Sequence, residues 1–136
     1  MKSKIKLERI NDAMNFRASN ELRKSILIDG DPDIGGVNNG VRPMELLLMG
    51  VAGCSAIDVV FILGRMKLKL DDLQIEVEGI KEKVEEHKEF SKIHMNFIAQ
   101  GEFKRQKLEK AVKLSVDKYC SVSKILERSA EISYSI

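Results

Sequence analysis

Strict alternation of apolar and polar residues marks the first thirty positions. Ile5 and Leu7 alternate with Lys4, Lys6 and Glu8, and Met14, Phe16 and Ala18 alternate with Asn15 and Arg17. Ile26 to Ile28 runs into the turn pair Asp29-Gly30. A period of two predicts strands, and Asn11-Asp12 and Asn20-Glu21 separate them, so a small antiparallel meander is expected. Residues 30–40 hold Gly30, Gly35, Gly36 and Gly40 and predict a loop. The loop has no Lys and two Asp, so it is not a phosphate cradle.

The pattern then changes. No charge occurs from Leu46 to Ile57; Asp58 interrupts, and Val59 to Leu63 is apolar again. The uncharged run falls short of the roughly 18 residues that a membrane span needs. It predicts a long buried central helix, with Pro43 in its first turn and Gly50 and Gly53 as points of close packing or bending. A helix apolar on nearly every side needs more cover than one small domain supplies, so a partner subunit is expected to provide the rest. Further on, Leu73, Ile75 and Val77 alternate with polar residues, as do Ile93, Met95, Phe97 and Ala99. They predict a long antiparallel hairpin with a bulge at Gly79-Ile80. Leu108, Ala111, Val112, Ser115 and Tyr119 repeat at helical spacing, Ser121 or Ser123 is placed to cap a short helix through Leu126, and Ile132, Tyr134 and Ile136 alternate as a closing strand. The expected fold is α+β: antiparallel sheets packed around a long buried central helix, in a single domain over residues 1–136.

Composition narrows the function. With 136 residues and 43% apolar content, the chain can bury a core without cross-links. The formal charge of +2 argues against a nucleic-acid partner, and 5% aromatic residues with no Trp argue against a stacking platform. No apolar stretch follows Lys2-Ser3-Lys4, so no signal segment is predicted, and a cytoplasmic protein without a membrane partner is expected. In that compartment a cysteine pair is structural, metal-binding or catalytic.

Cys54 and Cys120 lie far apart in sequence with no neighbouring Cys or His, and His87 and His94 share one hairpin. That spacing offers no zinc pair, so neither metal nor cofactor is expected. No Gly-x-Ser-x-Gly elbow supports a hydrolase. Cys54, inside an apolar helix, reads as readily as a buried structural residue. Against that, Gly53 leaves room beside it, and Cys120 sits between two helices, where free N–H groups lower a thiol pKa. Asp58 follows Cys54 by one turn on the same face. Ionised, it would oppose a thiolate, so it is expected to pair with a cation or with backbone donors.

The stretch Gly40-Val41-Arg42-Pro43-Met44-Glu45-Leu46-Leu47-Leu48, continuing into Ala52-Gly53-Cys54-Ser55, resembles the OsmC/Ohr family, and so does Tyr119-Cys120-Ser121-Val122. The order of predicted elements agrees over nearly the whole chain. Glu45 stands one residue later after the proline than in many members, which marks a less characterised branch. The resemblance implies an intertwined homodimer and thiol-dependent reduction of organic hydroperoxides in oxidative-stress defence, with a dithiol as reductant. It makes Cys54 the attacking and Cys120 the resolving cysteine. It matches Glu45 to the family's site glutamate and Arg17 to its site arginine, with Arg42 a rival for the latter. The alternative is a dimeric, non-catalytic binder of small hydrophobic or electrophilic molecules. In an unbroken helix, nine residues carry Glu45 about 13.5 Å and half a turn from Cys54. Either the helix is broken near Gly50 and Gly53 or Glu45 serves the other subunit; the second is expected, a composite site with both cysteines from one chain and Glu45 from the other.

Overall fold

The computed structural model describes residues 1–136. The chain divides into two compact units, Met1–Leu46 and Leu47–Ile136.

In the first unit, β1 (Lys6–Arg9), β2 (Phe16–Ser19) and β3 (Ser25–Ile28) form the expected antiparallel meander in the order β1-β2-β3. The β1–β2 turn is built by Asn11, whose side-chain oxygen accepts the N–H groups of Ala13 and Asn15 at 3.0 Å each. The glycine-rich loop is organised by a buried carboxylate. Asp29 accepts the N–H groups of Gly30, Val37 and Asn39 at 2.8, 3.2 and 3.0 Å. Burial raises its pKa, but those three donors and nearby Arg42 lower it, and the net shift is downward. Gly36 is required there, because a Cβ would stand 1.8 Å from the Gly30 carbonyl oxygen.

The long helix, α1 (Pro43–Arg65), starts in this unit with Pro at its first position. Glu45, at the third, reaches back so that its Oε1 accepts the Arg42 N–H at 2.8 Å, which is half of a capping box. The helix runs without a break to Arg65. Gly50 and Gly53 do not pack closely: a Cβ on Gly53 would meet nothing within 4 Å, and one on Gly50 would make ordinary contact with Val122. By length and composition α1 would suffice to cross a membrane. Within the second unit it is instead a core helix, with Val51, Ser55, Val59 and Leu63 buried at every fourth position. Its other flank carries Ile57, Val60 and Phe61 at 72, 50 and 64% exposure.

The hairpin of the second unit is longer than the alternation implied: β4 (Lys69–Val84) pairs antiparallel with β5 (His87–Glu102). The irregularity expected at Gly79-Ile80 lies on the facing strand. Ile80 pairs with Lys92 and Lys81 with Phe90, which leaves Ser91 as the extra residue. That bulge flips the alternation, so Phe90 is buried on the same face as Ile93, Met95 and Phe97. Gly79 serves close approach, since a Cβ there would lie 2.6 Å from the Phe90 ring. The closing strand β6 (Glu131–Ser135) pairs parallel to β5, so this sheet is mixed. Between them, α2 (Arg105–Leu114) buries Leu108, Ala111 and Val112, passes into a π-turn over Ser115–Tyr119, and is followed by α3 (Ser121–Leu126).

Candidate functional site

Two elements of the second unit place the cysteines together. Cys54 and Asp58 project one turn apart from α1, flanking buried Ser55. Cys120 sits in the corner between the π-turn and α3. The widened turn makes the corner, for the Cys120 N–H donates to the Ser115 carbonyl five residues back at 2.7 Å. As a result, the two sulfurs and a carboxylate oxygen of Asp58 all lie within 4.8 Å of one another. Both cysteines are free thiols, Cys54 partly exposed and Cys120 fully buried.

The cap of α3 is neither Ser121 nor Ser123 but Cys120 itself, whose Sγ accepts the Ser123 N–H at 3.4 Å. The Ser55 hydroxyl donates to the same sulfur at 3.5 Å. The expectation that free N–H groups lower the Cys120 pKa is corrected. Burial pushes this thiol up, and the Ser55 and Ser123 donors offset only part of that, with Cys54 beside it adding to the rise. Asp58 takes neither a cation nor backbone donors: the Ser115 hydroxyl donates to its Oδ2 at 2.9 Å. Ser115 thus orients both Asp58, through its side chain, and Cys120, through its carbonyl.

The sequence marks the cysteines and Asp58 as candidates but does not mark Ser55 and Ser115. The available signal was a polar residue on each buried helical stripe, since both serines have no exposed surface. The other two candidates lie in the first unit. Arg17 is exposed on β2 and forms no ion pair, and Glu45 is occupied with its capping bond. Arg42 donates from its guanidinium to Asn38 Oδ1 at 2.5 Å. His94 is exposed on β5 and hydrogen-bonds Ser133 and Ser135 on β6, apart from any thiol chemistry.

The chain that brings these two thiols together matches a known family over most of its length. The family model described as OsmC-like protein matches residues 36–135. The chain belongs to the OsmC-like family. Protein YhfA of Escherichia coli K12 is 36% identical over 126 residues, 91% of this chain and 90% of that protein. A hypothetical protein from Aquifex aeolicus VF5 superposes with a TM-score of 0.81 at 30% identity, covering 98% of this chain and 95% of that one. An organic hydroperoxide resistance protein OsmC from Legionella pneumophila shares the fold, with a TM-score of 0.75 at 15% identity over 100% of this chain and 98% of that one. The OsmC-like fold thus accounts for the mixed helix-and-sheet architecture.

Proposed function

We propose that this protein is a two-cysteine thiol peroxidase that reduces organic hydroperoxides in oxidative-stress defence. The observation that carries the reading is the pair of free thiols, Cys54 accessible and Cys120 buried, with sulfurs within 4.8 Å. In the proposed cycle the Cys54 thiolate attacks the terminal oxygen of the hydroperoxide. The O–O bond breaks, the alcohol leaves with a proton, and the sulfur keeps the hydroxyl as a sulfenic acid. The Cys120 sulfur then attacks that of Cys54. The S–O bond breaks, the S–S bond forms, and the hydroxyl departs as water with the Cys120 proton. A dithiol supplies two electrons and two protons to restore both thiols. Peroxide attack needs Cys54 as thiolate, and a guanidinium that cannot lose its charge is the natural support.

Arg17 is our assignment for that guanidinium, with Arg42 the alternative, and Glu45 the carboxylate that holds it. Along the unbroken α1, Glu45 is about 13.5 Å of helical rise and half a turn from Cys54, so we assign it to the partner copy's cysteine. A homodimer is supported by the apolar flank of α1, where Ile57, Val60 and Phe61, with Ala56 and Leu73, line an open depression of about 470 Å³. We assign the whole chain to one OsmC-like domain working in the cytoplasm, with no resident cofactor needed for turnover. The test is turnover of cumene hydroperoxide by the reduced protein with a dithiol reductant. Saturable turnover that Cys54→Ser removes supports the reading. Binding of the hydroperoxide without turnover favours the non-catalytic alternative and ends it.

A further inference from the structure

We propose that Cys54, Asp58 and Cys120 form a binding site for one thiophilic divalent cation per chain, for which Zn²⁺ is the probe. Linear spacing gave no ligand pair, because the third ligand comes from a corner 62 residues beyond the second; the fold brings all three within 4.8 Å of one another. With no side longer than 4.8 Å, an ion central to the triangle lies at most about 2.8 Å from each corner, no more than roughly 0.5 Å beyond a zinc–sulfur bond. Cys54 and Asp58 stand four residues apart on one helix face, the spacing by which helices present two ligands to one ion.

The surroundings are those of an oriented ligand set. The Ser115 hydroxyl holds Asp58 Oδ2 at 2.9 Å and leaves Oδ1 open. The Ser55 hydroxyl and Ser123 N–H fix the Cys120 sulfur. Asp58 is partly buried, and the ion pairs of the chain join other carboxylates, so its charge has no basic partner within this copy. Ser123, the residue whose N–H touches Cys120 Sγ, carries a buried hydroxyl that has no hydrogen-bond partner. Two sulfurs with one carboxylate suit zinc or cadmium and not magnesium or calcium, and three protein ligands leave a fourth tetrahedral position open. Entry is from the Cys54 side, because Cys120 has no exposed surface. This inference does not rest on the peroxidase reading. An ion held there would occupy both sulfurs and silence them toward any electrophile.

The test uses the reduced, chelator-treated full chain without oxygen or peroxide. Zn²⁺ is titrated against a chromophoric chelator, and Co²⁺ reports the ligands by its thiolate charge-transfer band. One ion per chain is expected, with intense cobalt–thiolate absorption. Cys54→Ser and Cys120→Ser should each weaken binding at least about a hundredfold, and Asp58→Asn, which retains the shape and the bond from Ser115, about tenfold or more. His87→Gln and His94→Gln should change nothing. Circular dichroism checks that each variant is folded. Equal binding by wild type and the double cysteine variant overturns the site, and unchanged binding by folded Asp58→Asn overturns the three-ligand assignment. Either result leaves peroxide turnover to be judged on its own assay.

Discussion

Glu45→Gln separates two roles that one carboxylate can hold. Within its own chain Glu45 accepts the Arg42 N–H at 2.8 Å and closes the first turn of α1. The glutamine amide oxygen can keep that bond, so the substitution removes only the favourable charge at the helix N-terminus, about 0.3–1 kcal/mol for an exposed side chain. A chain of this size should then lose no more than about 5 °C in Tm. If the carboxylate also orients the arginine that supports the Cys54 thiolate, kcat/KM falls at least about tenfold, a transition-state loss of about 1.4 kcal/mol or more. A loss of activity with little loss of stability assigns the charge to the reaction. Mixing subunits then tells which chain it serves. A heterodimer of Cys54→Ser and Glu45→Gln chains has one intact site if Glu45 acts across the interface, and none if it acts at home. Random mixing makes about half the molecules heterodimers with one site each, so the mixture should regain about a quarter of the wild-type rate. Mixed dimers that form, as native mass spectrometry would show, yet recover no activity refute the cross-subunit assignment.

Other parts of the structure carry their own expectations. Ser115→Ala deprives partly buried Asp58 of its donor and should cost about 1–2 kcal/mol, a Tm drop of roughly 3–6 °C; an unchanged melting curve would show that the bond contributes nothing. Phe61→Lys alters a side chain 64% exposed in the single chain, where a surface change is worth about 0.5 kcal/mol or less. In light scattering it should convert a dimer to monomer, and a dimer that persists removes this flank from the interface. Asp29 has a lowered folded pKa, so its stabilising effect is full above its unfolded value near 3.9 and fades as pH falls through the folded one. Asp29→Asn should therefore be less stable than wild type at neutral pH, with the gap closing below about pH 4; a gap independent of pH would contradict the role given to this carboxylate.

Much of this was legible in the residues because periodicity reports which face is buried. The meander, the hairpin, the long helix and the closing strand each follow from a period of two or from an uncharged run. What periodicity does not encode was missed. Alternation in Ile132, Tyr134 and Ile136 predicts a strand but not its direction, and β6 lies parallel to β5. An α1 apolar all round conceals which stripe the chain itself covers, the one through Val51, Ser55, Val59 and Leu63. The π-turn at Ser115–Tyr119 has no sequence mark, yet it moves the cap of α3 to Cys120 and brings that sulfur to α1. The cysteines were found because their local contexts are unusual. Their setting is legible only in part: helical spacing puts Asp58 beside Cys54, but Ser55 meets Cys120 and Ser115 meets Asp58 across 65 and 57 residues of sequence.

In the proposed cycle Cys54 and Cys120 act as one redox pair. That pairing is tested most directly by adding one equivalent of cumene hydroperoxide to the reduced protein, quenching with a thiol-blocking reagent and mapping the peptides by mass. The cycle yields a cross-linked peptide pair containing Cys54 and Cys120, lighter by two hydrogens, while Cys120→Ser accumulates sulfenic and then sulfinic acid on Cys54. Wild-type protein that consumes the peroxide with both thiols still blockable, or that oxidises Cys54 without forming the cross-link, would contradict it.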